Sequence, residues 1–366
     1  MSPWASLITC GVLLVGPYLA GDAVQVRVAP DPAYVERDVA GQYLNWDFRI
    51  ANNTGDRIVL TRLEMSILDR TGRLVFRQFL SAEGAVRPAI ETVPRREIEA
   101  GAESDLFNPF HTIDPALPVE TLQFAFEFQD APQRSVTEVT VRPAMYRSMT
   151  ELILPLKDRF IVYDGHDYYS HHRRLDLSDP RIKRVGLTEN PVRYAYDFST
   201  VNDAGALHRG NPSNPAEWFA YRTPVHAPGA GRVVSSANDV GDNRLDNGRL
   251  IPAAAADPMR AILGNHVVID HQNGEFSFLA HLRAGTVTVK PGDVVPRDQL
   301  LGEVGFSGDT GTHVHLHYHL ASGGDMTGSK ARPLYFQSYR RLLGSSAIDV
   351  REGLLHTGDI VQRAEQ

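Results

Sequence analysis

The sequence predicts an all-β protein with two domains. Short runs of β-forming residues alternate with turn signals along most of the chain, and glycine and proline are plentiful, at 30 and 23 of 366 residues. These runs show little of the 3.6-residue apolar period of an amphipathic helix. A chain of this length can bury two separate hydrophobic cores. The pattern therefore favours two β-rich domains joined by a linker near residues 142–150.

The first predicted domain spans residues 24–143 and has the strand pattern of an immunoglobulin-like β-sandwich. Its runs at residues 44–50, 58–65 and 122–128 alternate or cluster β-forming side chains, and turn signals such as Asn-Asn-Thr-Gly-Asp at 52–56 separate them. Several short strands at this spacing are typical of a sandwich. No group of ionisable residues there has a catalytic pattern, so we expect a binding or spacing module.

The N-terminus predicts export to the periplasm or the extracellular space. Residues 5–20 are almost wholly apolar and small or polar residues follow, which is the pattern of a signal peptide over residues 1–23. A buried segment or an uncleaved anchor are the alternatives, because no lysine or arginine precedes the apolar run. Cys10 is the only cysteine, so cleavage would leave a chain without thiol chemistry. The net charge of -7 argues against nucleic acid or an anionic membrane surface as the partner.

The second predicted domain, residues 151–336, contains an unusual histidine strand. His313, His315, His317 and His319 occupy alternate positions, so as a β-strand they project from one face. Imidazole is the commonest metal-binding side chain at neutral pH. Three further histidines cluster upstream at positions 166, 171 and 172, and half of the 14 histidines therefore fall in two short windows. The distribution predicts a metal site assembled across strands. The remaining tail, residues 337–366, is expected to hold a short helix at 338–343.

A carboxylate with the properties of a metal ligand lies between the two histidine windows. Asp197 interrupts the aromatic strand Tyr-Ala-Tyr-Asp-Phe at residues 194–198. Burying a charged side chain in such a strand is costly unless it is paired or bound to a metal. An aspartate at a strand end that accepts backbone amides is the structural alternative.

These stretches, in this order, resemble the lysostaphin-type zinc metallopeptidases, endopeptidases that cut peptide bonds in bacterial cell walls. The resemblance covers residues 155–325 and includes Ala-Pro-Gly-Ala-Gly-Arg-Val at 227–233, Gly-Asn-His-Val-Val-Ile-Asp-His at 264–271 and Gly-Phe-Ser-Gly at 305–308. The first domain lies outside it. The resemblance implies a lysostaphin-like antiparallel β-sheet for the second domain of this divergent member.

The family pattern also implies site residues. His172, Asp197 and His317 match the zinc ligands, and His281 and His315 match the two assisting histidines. For the first ligand, His166 and then His171 are the alternatives, because the commonest family spacing would place that ligand at Arg193. For the histidine pair, the alternative to His315 and His317 is a register that uses His313 and His315. In the preferred register, His313 and His319 are expected to be bystanders at the rim of the cleft.

Three protein ligands leave one position of tetrahedral Zn²⁺ for water, which implies hydrolysis of peptides, with the cross-links or bridges of peptidoglycan as substrate. A non-enzymatic relative that binds a partner and regulates a cell-wall hydrolase is the competing hypothesis. The five matching residues argue against it, since scaffold members of the family lose several of them. A zinc-buffering protein would explain the histidine strand but not the aspartate strand or the Gly-Phe-Ser-Gly turn.

Overall fold

The computed structural model describes residues 23–84, 88–130, 133–177 and 179–364. The predicted signal segment, except Ala23, and Cys10 lie outside the described residues. Strands make up nearly all of the regular secondary structure in the described residues, beside two short helices and two 3₁₀ turns, which confirms the predicted all-β fold class. Within these ranges no helix is long and apolar enough to cross a membrane.

The described residues form 27 strands, two short α-helices and two 3₁₀ turns. The strands are β1 (Val24–Ala29), β2 (Tyr34–Arg37), β3 (Gln42–Leu44), β4 (Asp47–Asn52), β5 (Ile58–Leu68), β6 (Leu74–Ser81), β7 (Glu97–Ile98), β8 (Glu103–Leu106), β9 (Thr112–Ile113), β10 (Thr121–Asp130), β11 (Gln133–Val141), β12 (Ala144–Met145), β13 (Phe160–Asp164), β14 (Tyr196–Ser199), β15 (Pro224–His226), β16 (Gly231–Ala237), β17 (Arg244–Asp246), β18 (Arg249–Ile251), β19 (Asn265–Asp270), β20 (Phe276–Leu282), β21 (Val294–Val295), β22 (Leu300–Glu303), β23 (Leu316–Ala321), β24 (Ala331–Arg332), β25 (Phe336–Leu343), β26 (Ser346–Gly353) and β27 (Ile360–Arg363). The helices are α1 (Pro180–Val185) and α2 (Pro258–Leu263), with 3₁₀ turns at Ala89–Thr92 and Pro215–Glu217.

The first of two compact units comprises the described parts of Met1–Ala29, Asp47–Phe107 and Pro118–Arg142. It contains a three-stranded sheet, β1-β4-β8, and a second sheet, β11-β10-β5-β6, with β7 paired to β5. Phe48 of β4 packs edge-on against Phe124 and Phe126 of β10, with ring centroids 4.8 and 4.9 Å apart. The two sheets therefore pack face to face as in a sandwich. The immunoglobulin-like topology stays a prediction.

The second unit is larger than the predicted peptidase domain. It comprises Pro30–Trp46, Asn108–Leu117 and Pro143–Gln366, so two segments that the sequence assigned to the sandwich belong to it. Together with β12, these segments form a four-stranded sheet, β12-β2-β3-β9. The main sheet has eleven strands and runs β21-β16-β19-β20-β23-β14-β13-β27-β25-β26, with β24 beside β23. Its central strands β20, β23 and β14 are neighbours, and they carry His281, His317 and Asp197 of the predicted site, while His315 immediately precedes β23.

The predicted short helix at 338–343 is wrong, because these residues lie in β25. This strand pairs with β26 on one side and β27 on the other, and Tyr339 is 1% exposed against the core. A two-residue Gly-Ser turn at 344–345 closes the hairpin, since Leu343 pairs with Ser346. Burial between two strands outweighs the helix-favouring Arg-Arg-Leu-Leu composition. The predicted tail is consequently part of the main sheet.

Candidate metal centre

Three strands bring the downstream site residues together through their pairing register. Asp197 of β14 lies directly opposite His317 of β23, and His317 lies opposite Ala280 of β20. His281 follows Ala280, so its side chain comes from the same end of the ladder. Directly opposed residues in an antiparallel pair have neighbouring side chains. The backbone hydrogen-bond ladder thus fixes the relative positions of the carboxylate and of these imidazoles.

His281 occupies an irregular point of β20. Its φ of 64° lies in the left-handed region, and the pairing of β19 with β20 shifts register between Asn265 and Val267, opposite this point. A bulge of this kind re-aims a side chain, and a strained backbone persists only where the surroundings hold it. The ring Nδ1 donates to the Ser307 carbonyl at 2.8 Å. Its Nε2 is therefore the nitrogen that keeps a lone pair.

The fourth residue, His172, comes from a segment without regular secondary structure. Its Nδ1 donates to the Gly165 carbonyl at 2.9 Å, and its backbone N–H donates to Ser170 Oγ at 3.1 Å. The Asn190 side-chain amide donates to its carbonyl at 2.7 Å. His172 is 3% exposed, and these bonds direct its Nε2 toward Asp197.

Three imidazole nitrogens converge on one carboxylate oxygen. Oδ1 of Asp197 lies 3.2 Å from His172 Nε2, 3.1 Å from His317 Nδ1 and 3.3 Å from His315 Nε2. Asp197 is 1% exposed, and its Oδ2 accepts no hydrogen bond within the described part of the chain. The His281 ring lies 4.8 Å from that of His315 and 5.7 Å from that of His317, between centroids. All five residues predicted for the site are therefore gathered around one carboxylate.

The two alternatives for the first ligand lie in different places. His166 Nε2 lies 3.0 Å from Glu36 Oε1, and its ring packs edge-on against Tyr194 and Tyr196, so it is turned away from Asp197. His171 is 65% exposed, and its Nε2 lies 3.6 Å from Asp197 Oδ2. The structure therefore places His171 nearer to the centre than His166, which reverses the order expected from the sequence.

Two sets of side chains could hold a metal ion. In each set, every residue offers one potential ligand atom, and these atoms lie within 4.8 Å of one another. One set joins Asp164, His171, His172 and Asp197, and the other joins Asp197, His313 and His315. The second set corresponds to the alternative histidine register. Asp197 belongs to both sets, so each way of choosing the ligands includes this carboxylate.

His319 is not at the rim of a cleft, contrary to the expectation from the sequence. It is 1% exposed, stacks on Phe278 at 4.4 Å and places Nδ1 2.9 Å from His317 Nε2. If His317 presents Nδ1 to a metal, its Nε2–H must donate to His319. His313 stacks on His315 and packs at a tilt against Tyr163, with ring centroids 4.2 Å apart in both pairs. Alternation in the sequence indicated the shared face but not these contacts.

A buried polar network behind His172 was also missed. Arg173 donates to Asn45 Oδ1 at 3.2 Å and to the Trp46 carbonyl at 3.0 Å. Asn45 in turn donates to Glu36 Oε2 at 2.7 Å, and Glu36 contacts His166. Glu36 and Arg173 are each 1% exposed. The network ties the segment of His172 to residues almost 130 positions earlier, for which the sequence carries no local signal.

Burial and charge set opposite pKa shifts within the centre. Burial alone would raise the pKa of Asp197, but the neighbouring His172 and His315 hold it well below its usual range. Burial disfavours charge on His172, yet Asp197 and Asp164 raise its pKa. Burial lowers the pKa of His317 to about 4 and that of His281 well below its usual range. An ionised carboxylate thus lies among imidazoles of which two stay neutral.

This donor set fits a zinc ion. A carboxylate and neutral imidazoles are its usual nitrogen and oxygen ligands, and each must be deprotonated to bind. His172 Nε2 and Asp197 Oδ2 are buried without a hydrogen-bond partner in the described chain. Buried polar atoms without partners are costly, and a metal would satisfy them.

A family model matches part of the second unit. Residues 218–327 match the model of peptidase family M23, a range that includes His281, His315 and His317 but begins after His172 and Asp197. No curated protein shows significant similarity to the chain.

Three solved structures illustrate the likeness. The catalytic domain of the prophage-encoded M23 protein EnpA from Enterococcus faecalis is 20% identical over 38% of this chain and 73% of that one, with a TM-score of 0.24. A putative peptidase M23 from Pseudomonas aeruginosa is 17% identical over 76% and 90%, with a TM-score of 0.27. The catalytic domain of lysostaphin from Staphylococcus simulans is 19% identical over 40% and 79%, with a TM-score of 0.23. The family match confirms the resemblance found in the sequence, and residues 218–327, within the second unit, are similar to peptidase family M23.

Proposed function

We propose that the chain is an exported zinc metalloendopeptidase that hydrolyses peptide bonds in the cross-links or bridges of peptidoglycan. The observation that carries this proposal is the convergence of His172 Nε2 and His317 Nδ1 on the same oxygen of Asp197, at 3.2 and 3.1 Å. His281 and His315 lie beside this trio. The M23 match over residues 218–327 supports a peptidase.

His172, Asp197 and His317 would hold the metal. Zinc in such a site supplies a Lewis acid that activates water and polarises a carbonyl oxygen. The protein contributes the fixed direction of each ligand atom. The Gly165 carbonyl holds the His172 ring through its Nδ1, and the His319 ring holds the His317 ring through its Nε2. Such outer partners set the tautomer and raise the basicity of a ligand.

His281 and His315 are the candidates for proton transfer and for stabilising charge on the substrate oxygen. The Nδ1–H of His281 donates a hydrogen bond to the Ser307 carbonyl. The Nε2 of His281 is therefore free to accept a proton or a hydrogen bond. Burial lowers the pKa of this ring and keeps it neutral. Its proton affinity in the complex therefore depends on the charges of the bound substrate and metal. His315 directs Nε2 toward the carboxylate oxygen that the ligands share. The pair therefore flanks the position where a scissile amide would bind.

Metal content and wall hydrolysis test the proposal together. Purified protein is loaded with zinc, and its metal content is measured by mass spectrometry before incubation with cell-wall sacculi and analysis of the released muropeptides. We expect one zinc per chain and release of peptides with new amino termini. Asp197→Ala and His317→Ala should lose both, whereas His208→Ala, a histidine outside the centre, should keep both. Stoichiometric zinc in both ligand variants would refute the ligand assignment.

Zinc binding without any released muropeptide would refute the peptidoglycan hydrolase and favour the non-enzymatic relative. Export is tested separately by expressing the full chain with a periplasmic reporter fused after residue 366. Accumulation of the fusion in the cytoplasm would contradict the exported form.

A further inference from the structure

A groove of about 660 Å³ lies in the second unit, away from the five residues of the metal centre. It is lined on one side by the continuous segment from Ile348 to Leu354 and on another by residues 37–39 and 145–147. We call it the arginine groove after Arg37, Arg147 and Arg351, which line it. The peptidase match over residues 218–327 includes none of these residues.

The groove follows the free edge of a β-sheet. Strand β26 is the last strand of the eleven-stranded sheet, and β25 is its only pairing partner among the described residues. Seven consecutive residues line the cavity, whereas one face of a strand would contribute only alternate residues. The cavity therefore borders the edge of β26, where backbone N–H and C=O groups are available for pairing.

The charge of the groove is unbalanced toward positive. Arg37, Arg147 and Arg351 are exposed and form no ion pair within the described ranges. The acidic residues nearby are engaged: Asp38 pairs with His356 at 2.7 Å and Asp349 with Arg340 at 3.3 Å. The third, Glu352, accepts from Gln337 at 3.1 Å.

The groove thus holds three guanidinium groups without an ion-pair partner among the described residues against one such carboxylate, Glu352, and in a chain of net charge -7 this local excess of positive charge favours anions. Apolar side chains accompany these arginines. Met145 is 43% exposed and Ile348 is 51% exposed, and Tyr339 also lines the groove. An extended segment with acidic residues on one face and apolar residues on the other would match all three properties: a free strand edge, unpaired arginines and exposed apolar side chains. Strand addition to an exposed edge is a recurrent mode of peptide recognition, in which the backbone supplies affinity and alternate side chains supply specificity.

We infer that the arginine groove binds an extended acidic segment of a partner protein, which pairs with β26 as an additional strand. The inference does not depend on the metal centre, so the groove would serve an active peptidase or a non-catalytic relative equally. Recruitment of the chain to an acidic protein is the function that this site would serve.

The probe is a fluorescein-labelled octapeptide of alternating glutamate and valine, titrated with the whole protein and followed by fluorescence anisotropy. We expect saturable binding that weakens with added salt, because exposed charge pairs are screened. The variant R37Q/R147Q/R351Q should bind roughly tenfold more weakly, since each exposed ion pair contributes up to a few-fold. The matched variant R184Q/R244Q/R249Q removes three exposed arginines of the same unit elsewhere and should bind as the wild type does.

Three further measurements can overturn the inference. The same octapeptide N-methylated at alternate residues keeps its charge but loses half of its backbone donors, so equal binding would exclude strand pairing. If R37Q/R147Q/R351Q binds the octapeptide as tightly as the wild type, with an unchanged thermal unfolding midpoint, the three arginines do not contribute to binding. Inorganic polyphosphate that binds the groove while the octapeptide does not would assign it to an anionic polymer instead of a protein segment.

Discussion

The candidate metal centre is built from two halves that are held in different ways. In the ladder half, the register of β14, β23 and β20 places Asp197, His317 and His281 through backbone pairing. In the loop half, His172 is placed by the hydrogen bonds that it donates to Gly165 and Ser170 and by the one that it accepts from Asn190. A ladder distributes its restraint over many bonds, whereas the loop depends on a few polar contacts. We therefore expect changes behind the loop to alter the site more than changes behind the ladder.

The largest loss of zinc affinity should follow from removal of the first metal ligand. His172→Ala removes the ring whose Nε2 lies 3.2 Å from Asp197 Oδ1, and zinc affinity should fall by about a thousandfold or more, because apparent zinc binding energies are of order 10 kcal/mol. His171→Ala should change affinity only a few-fold, and His166→Ala less still. Competition with a fluorescent chelator measures all three. A larger loss in His171→Ala than in His172→Ala would move the ligand to the exposed ring.

The buried network behind the loop should have the next largest effect. Glu36→Gln weakens the contacts that hold Asn45 and through it Arg173, next to His172. We expect a loss of about 3 kcal/mol in unfolding free energy, as for other broken buried pairs, and a 10- to 100-fold loss in zinc affinity. Urea unfolding and chelator competition measure the two quantities.

Glu275→Gln is the matched control for this variant. Glu275 is also a buried glutamate of the second unit, and it accepts bonds from Tyr146 and from the backbone at Met149 and Thr150. It should lose comparable stability yet keep its zinc affinity. If both variants lose zinc affinity equally, the effect is general destabilisation and the network has no specific role in positioning His172.

The same division explains what the sequence predicted. The alternation of histidines from His313 to His319, of which His317 and His319 lie in β23, and the aspartate inside an aromatic strand are local patterns with a period of two. They indicate the shared face directly. The resemblance then supplied His281 and the order of the strands. The all-β class followed from turn signals and strand-length runs, and the structure confirms it.

The remaining features depend on contacts distant in the sequence. Glu36 and Asn45 join the second unit through bonds to residues near position 170, and no periodicity in either segment indicates this. The burial of His319 follows from packing on Phe278 of the neighbouring strand. Residues 338–343 favour a helix by composition and become a strand only because β26 and β27 flank them. Tertiary pairing thus overrides local propensity.

In the zinc-free protein, the histidines of the two halves should change the unfolding free energy with pH in opposite directions. Burial lowers the pKa of the ladder residues His281, His317 and His319, so unfolded chains take up protons below pH 6.5 that the folded chain does not. The unfolding free energy should therefore fall as the pH drops from about 7 to 5, by about 1.4 kcal/mol per pH unit for each unmatched proton.

His172 has the opposite sign, because its pKa is raised: its contribution is complete below pH 6.5 and is lost as the pH rises through the folded value. His281→Phe should make the dependence shallower, and His172→Phe should make it steeper. Urea unfolding at several pH values with a chelator present measures the slopes. Equal slopes in the two variants would contradict the opposite shifts.

The smallest effect should come from the outer partner on the ladder side. His319→Phe keeps the aromatic stacking on Phe278 but removes Nδ1, which lies 2.9 Å from His317 Nε2. Because β23 already fixes the His317 backbone between two strands, only ring orientation and tautomer are released. We expect zinc affinity to fall roughly tenfold, the lower end of the range for such partners.

His319→Gln should recover most of this affinity, because its amide oxygen can accept the same proton. Unfolding midpoints of the zinc-free variants control for packing, and chelator competition measures affinity. A loss in His319→Phe that exceeds the loss in Glu36→Gln would reverse the comparison and make the ladder half the more sensitive one.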